Sequence, residues 1–209
     1  MTDPVHIGDA TLYLGDCRDI LPTLSGVDAV VTDPPYGIDL DYGEYKDTLE
    51  NWKDLMLEVV PMMRRFPCVV MPSCQIRLLE WWYQNFPPDW LIAWYKGSPG
   101  HAAYVGFNDW EPHLIWGKPA KPIHDYFRTP LNPPVNGHPC PKPIEYSLWL
   151  CDRMVDKSQT ILDPFMGSGT TGVACARLGR KFIGCEIEKK YFDISVERIK
   201  REYDQMKLF

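Results

Sequence analysis

No apolar stretch in this chain approaches the roughly 20 residues that span a bilayer, and residues 1–4 show no basic and apolar leader pattern. A cytoplasmic protein without a membrane partner is expected. There is no C-x-x-C pair either. The seven cysteines (Cys17, Cys68, Cys74, Cys140, Cys151, Cys175 and Cys185) are odd in number and widely spaced, as fits reduced, mostly buried thiols. Cys140 with His138 lacks two further ligands at sensible spacing, so no metal is expected. Excess positive charge is missing, and a formal net charge of −6 argues against a protein that coats nucleic acid non-specifically. Internal repeats and low-complexity segments are absent as well.

What is present is ordinary for a globular chain: 209 residues, 45% hydrophobic and 24% charged, enough for one core. A single domain over 1–209 is expected. Charge is spread unevenly. Between Trp94 and Pro143 the basic residues Lys96, Lys118, Lys121, Arg128 and Lys142 outnumber the acidic Asp109, Glu111 and Asp125, and four of the five histidines fall there. A polyanion would most naturally meet this stretch, although a solvated loop region has the same composition.

Short β-like runs alternate with helical patterns, which predicts a parallel-rich sheet covered on both faces. Strands are predicted at 10–14, 29–32, 68–71, 90–95, 112–116, 160–162 and 181–186, with Pro112 at the permitted first position of its strand. Leu49, Trp52, Leu55, Met56, Val59 and Val60 recur at helical spacing, and further helices are predicted at 75–86, 144–155, 170–178 and 191–203. Residues 37–45 are polar and read as a mobile loop. The proline-rich stretch 117–143 excludes long helices and central strands, yet its Trp, Tyr, Phe and Ile do not suit disorder.

Two loops stand out. The strand at 29–32 spills into Asp33-Pro34-Pro35-Tyr36, where the prolines hold Asp33 and Pro34 extended, so that their oxygens are presented in fixed positions. Tyr36 adds a flat apolar face with a polar tip. A plain proline turn with an exposed tyrosine has the same four letters. The strand at 160–162 runs into Asp163-Pro164-Phe165-Met166-Gly167-Ser168-Gly169-Thr170-Thr171-Gly172, a turn in which glycines admit a ligand close to the backbone and the next helix points free N–H groups into the bend. A cofactor is expected there. Glu186 ends the following strand, where an acid can accept from ribose hydroxyls. Gly167 to Gly172 also fits the dinucleotide fingerprint G-x-G-x-x-G, so NAD competes as the ligand. Only one strand remains after the turn, however, and the cation-free turn itself suits a cofactor with one adenosine and no pyrophosphate.

Taken together, these features resemble the amino-methylating DNA methyltransferases that use S-adenosylmethionine, in the circularly permuted arrangement called the β group. The matched pieces are Asp33-Pro34-Pro35-Tyr36 as the catalytic motif, His138-Pro139-Cys140-Pro141-Lys142-Pro143 as the tenth motif, Asp163 to Gly172 as the first and Glu186 as the second, in the family's order. The resemblance implies an α/β fold: a Rossmann-like, seven-stranded, mostly parallel, circularly permuted sheet with helices on both faces. It implies S-adenosylmethionine lying over Phe165, Gly167 and Gly169, with Asp163, Ser168 and Thr170 in the same turn. Glu186 would meet the ribose, Asp16 the adenine, and Lys142 and Thr171 the methionine end.

It further implies a DNA substrate with a flipped base stacked on Tyr36, whose amino group donates to the Asp33 carboxylate and the Pro34 carbonyl. Aspartate in the first motif position goes more often with adenine N6 in this family, with cytosine N4 as the alternative. Cytosine C5 chemistry needs a cysteine nucleophile, and neither Pro67-Cys68 nor Pro139-Cys140 accounts for the Asp33 loop. An NAD-dependent oxidoreductase and a catalytically silent DNA-binding module are the remoter alternatives. Little room is left for target recognition. The segment 117–137 is the candidate, with Lys96, Lys118, Lys121 and Arg128 as phosphate contacts and a homodimer as a source of further surface.

Overall fold

The apolar runs become strands because both of their faces find cover. The computed structural model of the protein describes residues 3–42, 45–72, 76–97, 102–103, 106–107, 109–130 and 142–206. One sheet holds β1 (Val5–Ile7), β2 (Ala10–Leu14), β3 (Ala29–Val31), β4 (Cys68–Pro72), β5 (Trp90–Tyr95), β6 (Trp110–Gly117), β7 (Tyr126–Arg128), β8 (Thr160–Asp163) and β9 (Lys181–Glu186). Their spatial order is β1-β2-β9-β8-β3-β4-β6-β5-β7. The five strands from β2 to β4 in this order run parallel, whereas β6 lies antiparallel between β4 and β5. Two short hairpins, Asp41–Tyr42 with Tyr45–Lys46 and Ala102–Ala103 with Gly106–Phe107, stand outside the sheet.

All seven predicted strands form, but the sheet has nine. The additional ones are the edges: β1 pairs antiparallel with β2, and β7 pairs parallel with β5. Each is three residues long, too short to carry a periodic signal. Pro112 is the third residue of β6 and not its first. Pairing of β6 with β4 begins only at His113, so the missing N–H of Pro112 faces no β4 partner.

Successive residues of a strand point to opposite faces, and here each face has its own helices. Ala29, Val31, Cys68, Val70 and Ile161 pack with α4 (Ile144–Met154), α5 (Thr170–Leu178) and α6 (Lys189–Met206). Val30, Val69, Met71 and Leu162 pack with α1 (Cys17–Ile20), α2 (Leu49–Met63) and α3 (Leu79–Asn85). Each fully buried aliphatic side chain contributes about 1.5–3 kcal/mol. On the second face Trp52, Trp81 and Trp82 meet with ring centroids 5.0 to 5.4 Å apart. The helix predicted at 75–86 begins as a 3-10 turn at Ile76–Leu78, and α6 extends beyond both predicted ends.

The topology fixes where a ligand can bind. From β8 the chain crosses through α5 to β9 on one side, and from β3 it crosses through α2 to β4 on the other. β8 and β3 are neighbours. Crossovers that depart in opposite directions leave a crevice beyond the carboxyl ends of these two strands. Asp163 and the loop that starts at Thr32 and Asp33 stand at that crevice.

Candidate active site

An open cleft lies there, lined by both loops, at the place where folds of this kind hold small-molecule ligands. Of the residues read from sequence, Asp16, Asp33, Pro35, Tyr36, Lys142, Asp163, Phe165, Gly167, Ser168, Thr170, Thr171 and Glu186 line it. Pro34 is buried, and Gly169 faces α6. The two loops picked out by sequence therefore share one cavity.

On the glycine side, φ is +51° at Gly167, and its N–H donates to Glu186 Oε2 at 2.9 Å. The other oxygen, Oε1, accepts from the Glu188 N–H at 2.8 Å. Glu186 thereby fixes the turn as well as facing the cleft, and burial raises its carboxyl above the usual range. Gly169 and Gly172 act differently from the sequence-based account. A Cβ on Gly169 would lie 2.8 Å from Ser195 Cβ, and one on Gly172 would lie 2.5 Å from Ile199 Cδ1. These glycines let α5 sit against α6 and leave ligand approach to Gly167. From α6, Arg198 donates to the Ser168 carbonyl at 2.5 Å and to its hydroxyl at 2.7 Å, a clamp the sequence did not advertise. Asp16 caps α1 and is gripped by the Arg18 guanidinium, which holds its carboxyl below the usual range.

The two sides are bolted together by Asp163, 2% exposed, whose Oδ1 accepts from the Thr32 hydroxyl at 2.7 Å and from the Phe165 N–H at 3.1 Å. Burial pushes its carboxyl up to about 7. On the Asp33 side, the Tyr36 hydroxyl donates to Asp33 Oδ1, and Tyr36 is only 5% exposed, unlike the exposed ring of a plain proline turn. Lys142, just ahead of α4, donates to Tyr36 Oη at 2.6 Å and to Glu111 Oε1 at 3.1 Å, with Asp33 Oδ1 at 3.4 Å. Buried Asp47 accepts from the N–H groups of Gly37 (2.7 Å), Ile38 (3.1 Å) and Leu40 (3.3 Å). The start of the predicted mobile loop is thus pinned by a carboxylate.

Glu111 and Asp47 escaped the sequence reading. Glu111 had a signal: an acid at the head of an otherwise apolar run must find a cation when buried. It lay one residue outside the strand predicted at 112–116. His138, Pro139, Cys140, Pro141 and Cys74 lie outside the described residues, as do 131–137 of the recognition segment.

The basic residues divide. Lys96 follows β5, and Arg128 ends β7 with its guanidinium 5.3 Å from the Tyr95 ring, both at the edge that carries the cleft. Lys118 and Lys121 lie at the opposite edge, after β6 has run down to pair Gly117 with Cys68. Lys121 is paired with Asp152 at 2.8 Å, and its N–H caps α4 through the Arg153 carbonyl. Both thus stand at the edge of the sheet away from the cleft.

Fold and cleft together define a Rossmann-like α/β enzyme of the methyltransferase class. The family profile described as DNA methylase matches residues 89–197, just over half of the chain, and the protein belongs to that family. The matched span holds Glu111, Lys142, the glycine turn and Glu186, whereas the Asp33 loop lies before it. The chain is 27% identical over 205 residues to the putative methylase YubD of Escherichia coli K12, covering 88% of each. Among solved structures it resembles the M1.HpyAVI–SAM complex, with a TM-score of 0.64 and 27% identity over 90% of this chain and 99% of that one. It shares its fold with the cytosine-N4-specific PvuII DNA methyltransferase, at a TM-score of 0.72 and 16% identity over 96% of this chain and 93% of that one.

Proposed function

We propose that the protein transfers a methyl group from S-adenosylmethionine to the N6 amino group of adenine in DNA, as a circularly permuted enzyme whose catalytic motif is Asp33-Pro34-Pro35-Tyr36. The observation that carries this reading is the shared cleft: Asp33 and Tyr36 line the same cavity as Phe165, Gly167 and Glu186. Phe165 and the glycine turn would hold the cofactor, with Glu186 meeting its ribose hydroxyls and Asp16 its adenine. A base that has left the duplex stack enters beside Tyr36.

An exocyclic amino group is a poor nucleophile because its lone pair is delocalised into the ring. When the Asp33 carboxylate and the Pro34 carbonyl accept its two N–H bonds, the lone pair is drawn out of conjugation and aimed at the sulfonium methyl. The nitrogen–carbon bond forms as the carbon–sulfur bond breaks, its electron pair passing to sulfur, and Asp33 or water takes the surplus proton. No covalent enzyme intermediate is required. Aspartate at position 33 favours adenine over cytosine N4.

Asp33→Ala should abolish transfer of tritiated methyl groups to unmethylated DNA while leaving S-adenosylhomocysteine binding intact in calorimetry. Turnover retained in that variant would overturn the mechanism. Binding of NAD in place of S-adenosylhomocysteine would return the oxidoreductase reading, and the absence of transfer by the wild type at saturating cofactor would return the silent DNA-binding module. Sequencing of modified DNA that separates N6-methyladenine from N4-methylcytosine decides the base.

A further inference from the structure

The family resemblance puts Lys142 at the methionine end of the cofactor, and its surroundings assign it elsewhere. Its ammonium group has three protons to give. Tyr36 Oη at 2.6 Å, Glu111 Oε1 at 3.1 Å and Asp33 Oδ1 at 3.4 Å stand around it. The Tyr36 and Trp94 rings lie 5.0 and 5.4 Å from it. The Lys142 and Glu111 side chains are only 9% and 7% exposed, so neither charge is tolerable without the other. A cofactor carboxylate would compete with two carboxylates already in place.

Resting on the methyltransferase reading above, we infer that Lys142 serves the acceptor loop and not the cofactor, and that Glu111 is the positioning residue that holds it there. Lys142 fixes the Asp33 carboxylate through its charge and the Tyr36 ring through its hydroxyl. Glu111 reaches the lysine from β6, on the far side of β4 from the loop, so the sheet sets the position of the ammonium group. It acts on the reaction only through Lys142. The lysine takes no proton from the substrate; the amino proton still leaves by way of Asp33 or water.

This predicts a separation that the cofactor assignment does not. With the full chain, Lys142→Met and Glu111→Gln are compared with wild type for kcat of methyl transfer, KM for DNA and the Kd of S-adenosylhomocysteine by calorimetry. Lys142→Met should lower kcat by about 100-fold, in the range for loss of one preorganised charged group. Its Kd for S-adenosylhomocysteine should stay within about threefold of wild type, because the cofactor keeps every group that holds it. Glu111→Gln, which keeps shape and one hydrogen bond, should lower kcat by about tenfold with the same unchanged Kd. The double variant should be no worse than Lys142→Met alone, since residues acting as one unit are not additive. A Kd weakened tenfold or more in Lys142→Met, with kcat preserved at saturating cofactor, would return the lysine to the cofactor. Additive losses in the double variant would remove Glu111 from its positioning role. A wild type that binds S-adenosylhomocysteine but transfers no methyl group defeats the functional reading, whereas the Kd comparison still decides which ligand the lysine serves.

Discussion

Asp163 carries a carboxyl group where water does not reach, and this gives the protein's stability a particular pH dependence. In the unfolded chain the group ionises near its ordinary 3.8; in the folded protein burial moves it to about 7. Between those values the native state keeps a proton that the unfolded state has lost, so stability from this group is full below about pH 4 and falls as pH rises through 7. The shift corresponds to on the order of 4 kcal/mol. His113 slopes the other way. Burial depresses it from 6.5 to about 3, so its contribution is present above pH 6.5 and is lost as pH falls toward 3. The two slopes offset one another over much of the acidic range, and a variant separates them. Asp163→Asn keeps an Oδ1 for Thr32 and Phe165 and offers an N–H to the Thr171 hydroxyl that now bonds the carboxylate. Its melting temperature relative to wild type should climb steadily from pH 4 to pH 7. A difference independent of pH would mean that Asp163 is not the buried acid described.

The glycine turn shows how an element can be correctly located and wrongly explained. Gly172 lies within α5, where alanine is the better helix former by about 1 kcal/mol. Its new Cβ would nevertheless lie 2.5 Å from Ile199 Cδ1 and 2.8 Å from Phe182 Cε1, and overpacking of this kind costs about 1–3 kcal/mol. Gly172→Ala should therefore lower the melting temperature by a few degrees, with partial recovery in a second-site Ile199→Val variant that removes the clashing methyl; a stabilised Gly172→Ala would disprove the packing role. The sequence marked these glycines because their spacing is rare, but it does not say whether a ligand or a helix approaches them. Strands were legible because runs such as Cys-Val-Val-Met are apolar on both faces and occur in a chain that alternates with helices. The edge strands β1 and β7 and the carboxylate–lysine pair of Glu111 were not, since three residues carry no period and an acid at the head of an apolar run calls for a cation without naming which one.

Across the whole molecule, the sheet sorts charges that the linear sequence groups together. Lys96, Lys118, Lys121 and Arg128 fall in one basic stretch, yet β6 runs antiparallel to its neighbours and delivers Lys118 and Lys121 to the edge opposite the cleft. A basic stretch says that cations are near in sequence; strand direction decides which of them reach a common ligand. On a net charge of −6, an enzyme that holds DNA must rely on local cations at the cleft edge and not on a general field. Removing one phosphate-binding cation lowers the slope of log K against log salt by about 0.9 for duplex DNA. Lys96→Ala with Arg128→Ala should therefore flatten that slope by nearly two and weaken binding to all DNA sequences alike. Lys118→Ala with Lys121→Ala should leave both slope and affinity unchanged. The second pair carries its own check, because loss of the Lys121–Asp152 pair costs at most about 1 kcal/mol of folding stability and should appear as a small drop in melting temperature. If the Lys118 and Lys121 changes flattened the salt slope instead, the DNA would run across the other edge of the sheet, and the cleft would have to be reached from a partner surface.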